Sequence, residues 1–177
     1  NIYAVFSSND VVCLDLDGNL QWLRGLTADY ANVSNSLGMS SSPVVSGNTL
    51  VVQVENDSES YTLGLEKSTG INRWRLDRPK AANWTSPLLL ANGLVALQSK
   101  DGIDAIHAKD GSKAWSYDNG ASTIPSSTLL KGVLYVPSNG VTALELNKDD
   151  ASNTPKELWQ NGRLQLGTAS APRARLC

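Results

Sequence analysis

Three times the chain writes a glycine followed four residues later by tryptophan: Gly18 to Trp22, Gly70 to Trp74 and Gly111 to Trp115. A fourth tryptophan, Trp159, follows where a polar insertion has displaced the glycine. These four of the chain's five tryptophans lie 52, 41 and 44 residues apart, the period of β-propeller blades. A repeat of this length constrains the architecture strongly. One such unit cannot bury its apolar face alone, so it stacks on a copy of itself.

Each unit reads as short strands separated by tight turns. The first strand opens after a Ser-Pro-like step, in Ser42-Pro43-Val44-Val45, Ser86-Pro87-Leu88-Leu89 and the weaker Ile124-Pro125-Ser126-Ser127. Proline at a strand head sits where no ladder donor is needed. The turns that follow carry Gly47-Asn48, Asn92-Gly93 and Lys131-Gly132, and Asn and Gly suit hairpins. Second strands (Leu50-Val51-Val52-Gln53-Val54, Leu94-Val95-Ala96-Leu97 and Val133-Leu134-Tyr135-Val136) are too continuously apolar to be half exposed, so burial on both faces is expected. Ile2-Tyr3-Ala4-Val5-Phe6 is the same element in a unit whose first strand is absent. Third strands align on Leu14, Leu65, Ile106 and Leu144, each preceded by a small residue (Cys13, Gly64, Ala105, Ala143). The tryptophan falls in the fourth. Four strands in forty-odd residues, without helical periodicity, make an all-β propeller of four-stranded antiparallel blades.

The units run over residues 2–24, 39–75, 84–117 and 124–160 of a single propeller segment, 1–177, with the opening of a fifth at 166–177. Two arrangements suit that phase. In one the last segment completes the first blade of a four-bladed ring. In the other the four blades are part of a larger ring, or of one completed by a dimer. Arg173 and Arg175 suit a buried innermost strand poorly, which favours the second.

Composition excludes several function classes. Fifteen basic residues against 17 acidic ones give a net charge of −2 with no run of either sign, so neither nucleic acid nor an anionic membrane is an expected partner. No apolar run approaches the roughly 18 residues of a membrane-spanning helix. Cys13 and Cys177 have no metal-ligand spacing, and Cys13 reads as a small buried hydrophobe. His107 is the sole histidine, but Asp15, Glu66 and Glu145 fill its slot in the other units, which marks a polar position of the repeat and not a catalytic base. Residues 15–19 imitate a calcium loop with the glycine misplaced and Leu26 where glutamate belongs. The acidic stretches at 56–60 and around Asp149-Asp150 read as solvated hairpin loops. Matches to N-x-S/T at Asn32, Asn56 and Asn83 are what chance gives in so Asn-, Ser- and Thr-rich a chain.

The residues Ala105-Ile106-His107-Ala108-Lys109-Asp110-Gly111-Ser112-Lys113-Ala114-Trp115 resemble the PQQ-like repeat of quinoprotein-type propellers, with its A-L-D-x-x-T-G-x-x-x-W pattern. The stretch from Gly64 to Trp74 fits nearly as well, and that from Cys13 to Trp22 is one residue shorter. That family includes quinoprotein alcohol dehydrogenases and outer-membrane protein assembly lipoproteins. The resemblance implies the fold and a periplasmic or extracellular setting. It transfers no catalytic, cofactor-binding or metal-ligating residue, because the dehydrogenases' adjacent cysteine pair and their quinone and calcium ligands have no match here. No cofactor is expected. The expected function is a non-catalytic module that binds a protein, or a second copy of itself, through polar inserts at 56–60 and 147–155 projecting from one rim. A fragment of a quinone-dependent dehydrogenase is the alternative, and a carbohydrate-binding propeller the third reading.

Overall fold

The computed structural model describes residues 1–31, 38, 41–147 and 153–167. Strands β1 (Ile2–Val5), β2 (Asp10–Leu14) and β3 (Leu20–Gly25) form a three-stranded sheet, followed by a single helical turn, α1 (Leu26–Asp29). The second sheet is β4 (Val44–Ser46), β5 (Thr49–Val54), β6 (Tyr61–Glu66) and β7 (Asn72–Asp77). The third is β8 (Leu88–Leu89), β9 (Leu94–Ser99), β10 (Gly102–His107) and β11 (Lys113–Tyr117). The fourth is β12 (Thr128–Leu130), β13 (Val133–Ser138), β14 (Gly140–Glu145) and β15 (Lys156–Asn161). All four are antiparallel meanders of neighbours in sequence, so the architecture is all-β, with four propeller blades. Between β8 and β9 the chain turns on Asn92 and Gly93, both at positive φ (57° and 75°), as an Asn-Gly hairpin signal requires. The expected opening of a fifth unit at 166–177 lies almost wholly outside the described residues.

A bulge at one place in every blade aims the tryptophan. Cys13, Gly64, Ala105 and Ala143 pair directly with Trp22, Trp74, Trp115 and Trp159. The register then slips by one residue before Leu14, Leu65, Ile106 and Leu144, leaving Gln21, Arg73, Ala114 and Leu158 unpaired. Directly paired side chains share a face, so each indole lies across its small partner. A Cβ on Gly64 would overlap the Trp74 ring. The run of small residues before the aligned aliphatic position is thus the clearance for a bicyclic ring.

The indole then docks on the next blade. Trp22 Nε1 donates to the Lys67 carbonyl at 3.1 Å, and Trp74 Nε1 to the Ala108 carbonyl at 2.9 Å. Each ring also covers the turn glycine of that next blade. A Cβ at Gly70 would lie 2.8 Å from Trp22, and one at Gly111 2.8 Å from Trp74. Both glycines have positive φ (73° and 74°), so two independent constraints demand glycine there. Tyr3, beside Trp22, adds a second donor to the Lys67 carbonyl through its hydroxyl.

Apolar faces close between blades. Leu50, Val52, Leu63 and Leu65 of the second blade pack with Val11, Tyr3, Val5 and Trp22 of the first. Leu134, Val136 and Leu144 of the fourth pack with Ala96, Ala105 and Trp115 of the third. The edge strands β4 and β8 lie against each other, and serines preceding them link the blades in series. The Ser42 amide donates to Ser86 Oγ (2.9 Å), and the Ser86 amide to Ser126 Oγ (3.0 Å). The Ser-Pro step of the sequence is this ladder.

Burial departs from expectation in the outer blades. Every residue of β5 and β9 is buried, but β1 is only partly so and β13 alternates. Leu65, Ile106 and Leu144 are fully buried, whereas Leu14 is half-buried. The cause is positional. Leu65 lies under the preceding blade, and among the described residues nothing occupies the matching place over Leu14.

Trp115 is 3% exposed in the cluster between the third and fourth blades. Trp115→Ala is expected to lower the unfolding free energy by about 3–5 kcal/mol in urea titration.

Candidate functional site

The most heavily buried charges sit where the second and third blades meet. Arg78, just beyond β7, donates from Nε to Glu55 Oε1 at 2.7 Å and from Nη1 to Asp104 Oδ2. Its side chain and that of Glu55 are 2% and 1% exposed. Asn83 donates to Glu55 Oε2 (2.7 Å) and to the Gln98 carbonyl (2.7 Å). Burial pushes the Glu55 carboxyl above its ordinary pKa, opposed by the Arg78 charge and the Asn83 amide. Partial burial presses Asp104 upward as well, but hydrogen bonds from Lys113 and Ser116 and the charge of Arg78 outweigh it, and its pKa falls. A buried pair like this is costly to break from one side only.

A neutral polar chain runs beside it. Gln53 Nε2 reaches the Gln98 carbonyl (3.2 Å), while Gln98 Nε2 reaches the carbonyls of Ser122 (2.5 Å) and Pro125 (2.9 Å). Ser127 donates to Gln98 Oε1 from both its amide and its hydroxyl. Gln53 and Gln98 occupy the same position of β5 and β9. They tie each blade to the segment that enters the next, a role their isolated places in apolar strands did not reveal.

The polar positions singled out in the sequence prove to be turn fasteners. Asp15 accepts from the amides of Asp17 (3.0 Å) and Asn19 (2.8 Å) and from the side chains of Asn19 and Gln21. These bonds, the Asn19 side chain first, hold its pKa below the usual carboxylate range. The calcium-like stretch therefore clasps itself. His107 is half-buried, and its backbone amide closes the same turn on the Ser112 carbonyl (2.8 Å) as Glu66 does on Ile71 (2.8 Å). Cys13 is a buried free thiol. Cys177 and Asp149-Asp150 lie outside the described residues. Among the described residues no cluster of three or more His, Cys, Asp or Glu is placed to hold a metal ion.

Two expectations about the inserts are corrected. Residues 56–60 are a hairpin loop only partly open to solvent: Asp57 is exposed and Ser58 and Glu59 half-buried, but Asn56 and Ser60 are buried, and Asn56 Oδ1 accepts the amides of Ser58 (2.8 Å) and Glu59 (2.9 Å). The self-bonding asparagine replaces water in the turn. Nor do the two inserts share a rim. Residues 56–60 join β5 to β6, whereas 147–155 join β14 to β15, and these connections leave opposite ends of the third strand. Asn83, another glycosylation-like match, is likewise interior at 1% exposure.

Each face carries an open cleft between the second and third blades. One, of 720 Å³, is bordered by the β4–β5 and β8–β9 hairpins together with Arg73, His107 and Lys109. Its ionisable rim is cationic, though Arg73 leans 3.5 Å from Glu66. The opposite cleft, of 260 Å³, is bordered by Arg78 and Lys113 but by four aspartates, Asp77, Asp101, Asp104 and Asp118. A multiply carboxylated quinone would meet a surplus of like charge there.

A family model described as outer membrane protein assembly factor BamB matches residues 7–162. The chain belongs to this family. No curated protein sequence matches it. Among solved structures it is similar to BamB from Moraxella catarrhalis, at 17% identity and a TM-score of 0.60 over 84% of this chain and 46% of that one. It is also similar to the quinohemoprotein alcohol dehydrogenase of Comamonas testosteroni, at 14% identity and a TM-score of 0.64 over 89% of this chain and 32% of that one. The likenesses show the shared propeller fold. The chain spans less than half the length of either protein.

Arg78→Ala is expected to destabilise the protein by about 3–5 kcal/mol near neutral pH, because Glu55 is left charged and unpaired. The folded state already holds the Glu55 proton more tightly than the unfolded chain, so that group favours folding at low pH and loses its contribution as pH rises through the folded pKa. Removing Arg78 strengthens this tendency. Chemical denaturation at two pH values should therefore show a smaller loss under acid than at neutrality. His107→Ala, by contrast, should change stability by no more than about 0.5 kcal/mol.

Proposed function

We propose that this chain is a non-catalytic propeller module that presents a rigid multi-bladed surface to another protein in an outer-membrane or periplasmic setting. One observation carries the reading: among the described residues, the carboxylates with displaced pKa values are spent on the scaffold. Asp15 and Asp110 accept from their own turns, and Glu55 and Asp104 hold Arg78 between blades. A general acid or base has to reach substrate with a tuned proton, and these groups face neighbours instead. The lone imidazole stands at an open cationic rim beside Arg73 and Lys109. Membership of the BamB family supports both the setting and a role in handling outer-membrane proteins.

The cationic cleft is the favoured contact surface, because its rim combines positive charge with hairpin backbone from two blades. An outer-membrane β-barrel protein, held unfolded in urea and then diluted, is a suitable probe. Its binding should be measurable by fluorescence anisotropy and weakened by the double change Arg73→Glu and Lys109→Glu. Calorimetry with pyrroloquinoline quinone and calcium should give no stoichiometric heat, and alcohol should not drive dye reduction. Stoichiometric quinone binding with alcohol-dependent reduction would overturn the reading in favour of a dehydrogenase.

A further inference from the structure

The cationic cleft between the second and third blades departs from the repeat at each charged position that borders it. Three places of the blade set this rim. One is the unpaired bulge residue of the earlier blade. The others are the last residue of the third strand in the later blade and the residue two beyond it. Backbone bonds establish the equivalence, since the Lys67 amide donates to the Asn48 carbonyl, the Ala108 amide to that of Gly93 and the Leu146 amide to that of Gly132. Between the first and second blades the three places hold Gln21, Glu66 and Ser68. Between the third and fourth they hold Ala114, Glu145 and Asn147. Each set brings one carboxylate and no cation. Between the second and third blades the same places hold Arg73, His107 and Lys109. There the carboxylate has given way to an imidazole, neutral or cationic, and two cations have been added.

The carboxylates beside this rim are engaged elsewhere. Asp110 Oδ1 accepts from the amide and the hydroxyl of Ser112 (2.9 and 2.6 Å), and Glu66 accepts from the Ser68 hydroxyl (3.3 Å). Neither borders the cleft. Arg73 is shared between Glu66 (3.5 Å), Thr49 (3.2 Å) and the cleft. Arg73 and Lys109 are exposed and His107 is half-buried, so each charge contributes little alone and a ligand bearing several anions gains most. The exposed carboxamides of Asn48 and Asn92 also border the cleft, and a carboxamide pairs with the N–H and C=O of a peptide. The chain as a whole carries a charge of −2. Cations gathered in one cleft of such a chain favour a slender anionic segment over a broad anionic surface.

We infer that this cleft takes an acidic peptide segment of the partner protein, with carboxylates on Arg73 and Lys109 and backbone on the Asn48 and Asn92 carboxamides. His107 sets the specificity by removing the carboxylate that the repeat places there. The inference rests on the reading of this cleft as the contact surface and adds the chemistry of what it holds.

The test is fluorescence anisotropy of the full chain with a labelled peptide alternating glutamate and glycine, beside versions carrying glutamine or lysine instead. The glutamate peptide should bind at least about tenfold more tightly than either and should weaken as salt is raised. His107→Glu, which restores the carboxylate of the repeat, should weaken it about fivefold. Arg73→Gln, His107→Glu and Lys109→Ser together reproduce the boundary between the first and second blades. That variant, with folding verified by circular dichroism, should bind the glutamate peptide no better than the glutamine one. Lys109→Ser alone, at an exposed turn position, should act in the same direction and serves if the triple variant does not fold. Equal binding of the glutamate and glutamine peptides would overturn the inference, as would glutamate binding that the triple variant retains. Tighter, cleft-dependent binding of phosphatidylglycerol vesicles would overturn it in favour of a lipid headgroup. An unfolded outer-membrane β-barrel protein separates the two readings. If it binds and excess glutamate peptide does not displace it, this inference fails and the contact-surface reading stands. If it does not bind while the glutamate peptide does, the contact-surface reading fails and the acidic-peptide site stands.

Discussion

The fold depends on a tryptophan that leaves its own sheet to grip the next one. The indole needs three things at once: a flat neighbour across the strand pair, a bare glycine to lie on, and a backbone carbonyl to accept its N–H. The bulge before Leu14, Leu65, Ile106 and Leu144 aims the ring, and Gly70 and Gly111 receive it. Because the acceptors are backbone carbonyls, the grip survives wide variation in side chains. This fits a fold that the chain shares with solved structures at 14% and 17% identity.

Polar groups complete what the tryptophans begin. The serine ladder joins the edge strands, the Gln98 hub ties the third blade to the entry of the fourth, and the Arg78 cluster locks the second against the third. These contacts cost desolvation, and an apolar replacement of equal shape could be as stable. Their effect is to fix the angle between blades that a purely apolar interface would leave adjustable. A stack braced in this way holds the blades, and the faces they present, in a fixed relation to one another.

Much of this was legible in the residues. The tryptophan period, the Asn-Gly hairpin at 92–93 and the common slot of Asp15, Glu66, His107 and Glu145 identified the blades. The small residue before each aligned aliphatic position was visible but unexplained, since pairing across a bulge joins residues distant in the chain, from Cys13 with Trp22 to Ala143 with Trp159, and has no local signature. The rim assignment of the inserts failed for a related reason. Residues 56–60 and 147–155 look alike as polar interruptions, yet they leave opposite ends of the third strand, and an insert's face follows from strand direction.

The sequence by itself determined the architecture, because a forty-residue period with a fixed glycine and tryptophan can be satisfied only by units that stack. It also marked the hairpins, whose positive φ angles fall on glycine at Gly47, Gly93 and Gly132, on Asn92 and, at one place, on Lys131. Only the tertiary structure decided which charges are partners. Glu55, Arg78 and Asp104 are scattered along the chain and meet because two blades converge there. Only the tertiary structure decided, too, that Trp115 is sealed while Trp159 is open, for the two hold the same place beside the bulge and differ in what stands next to them. Local rules set what a blade is, and the neighbour it receives sets what its surfaces can do.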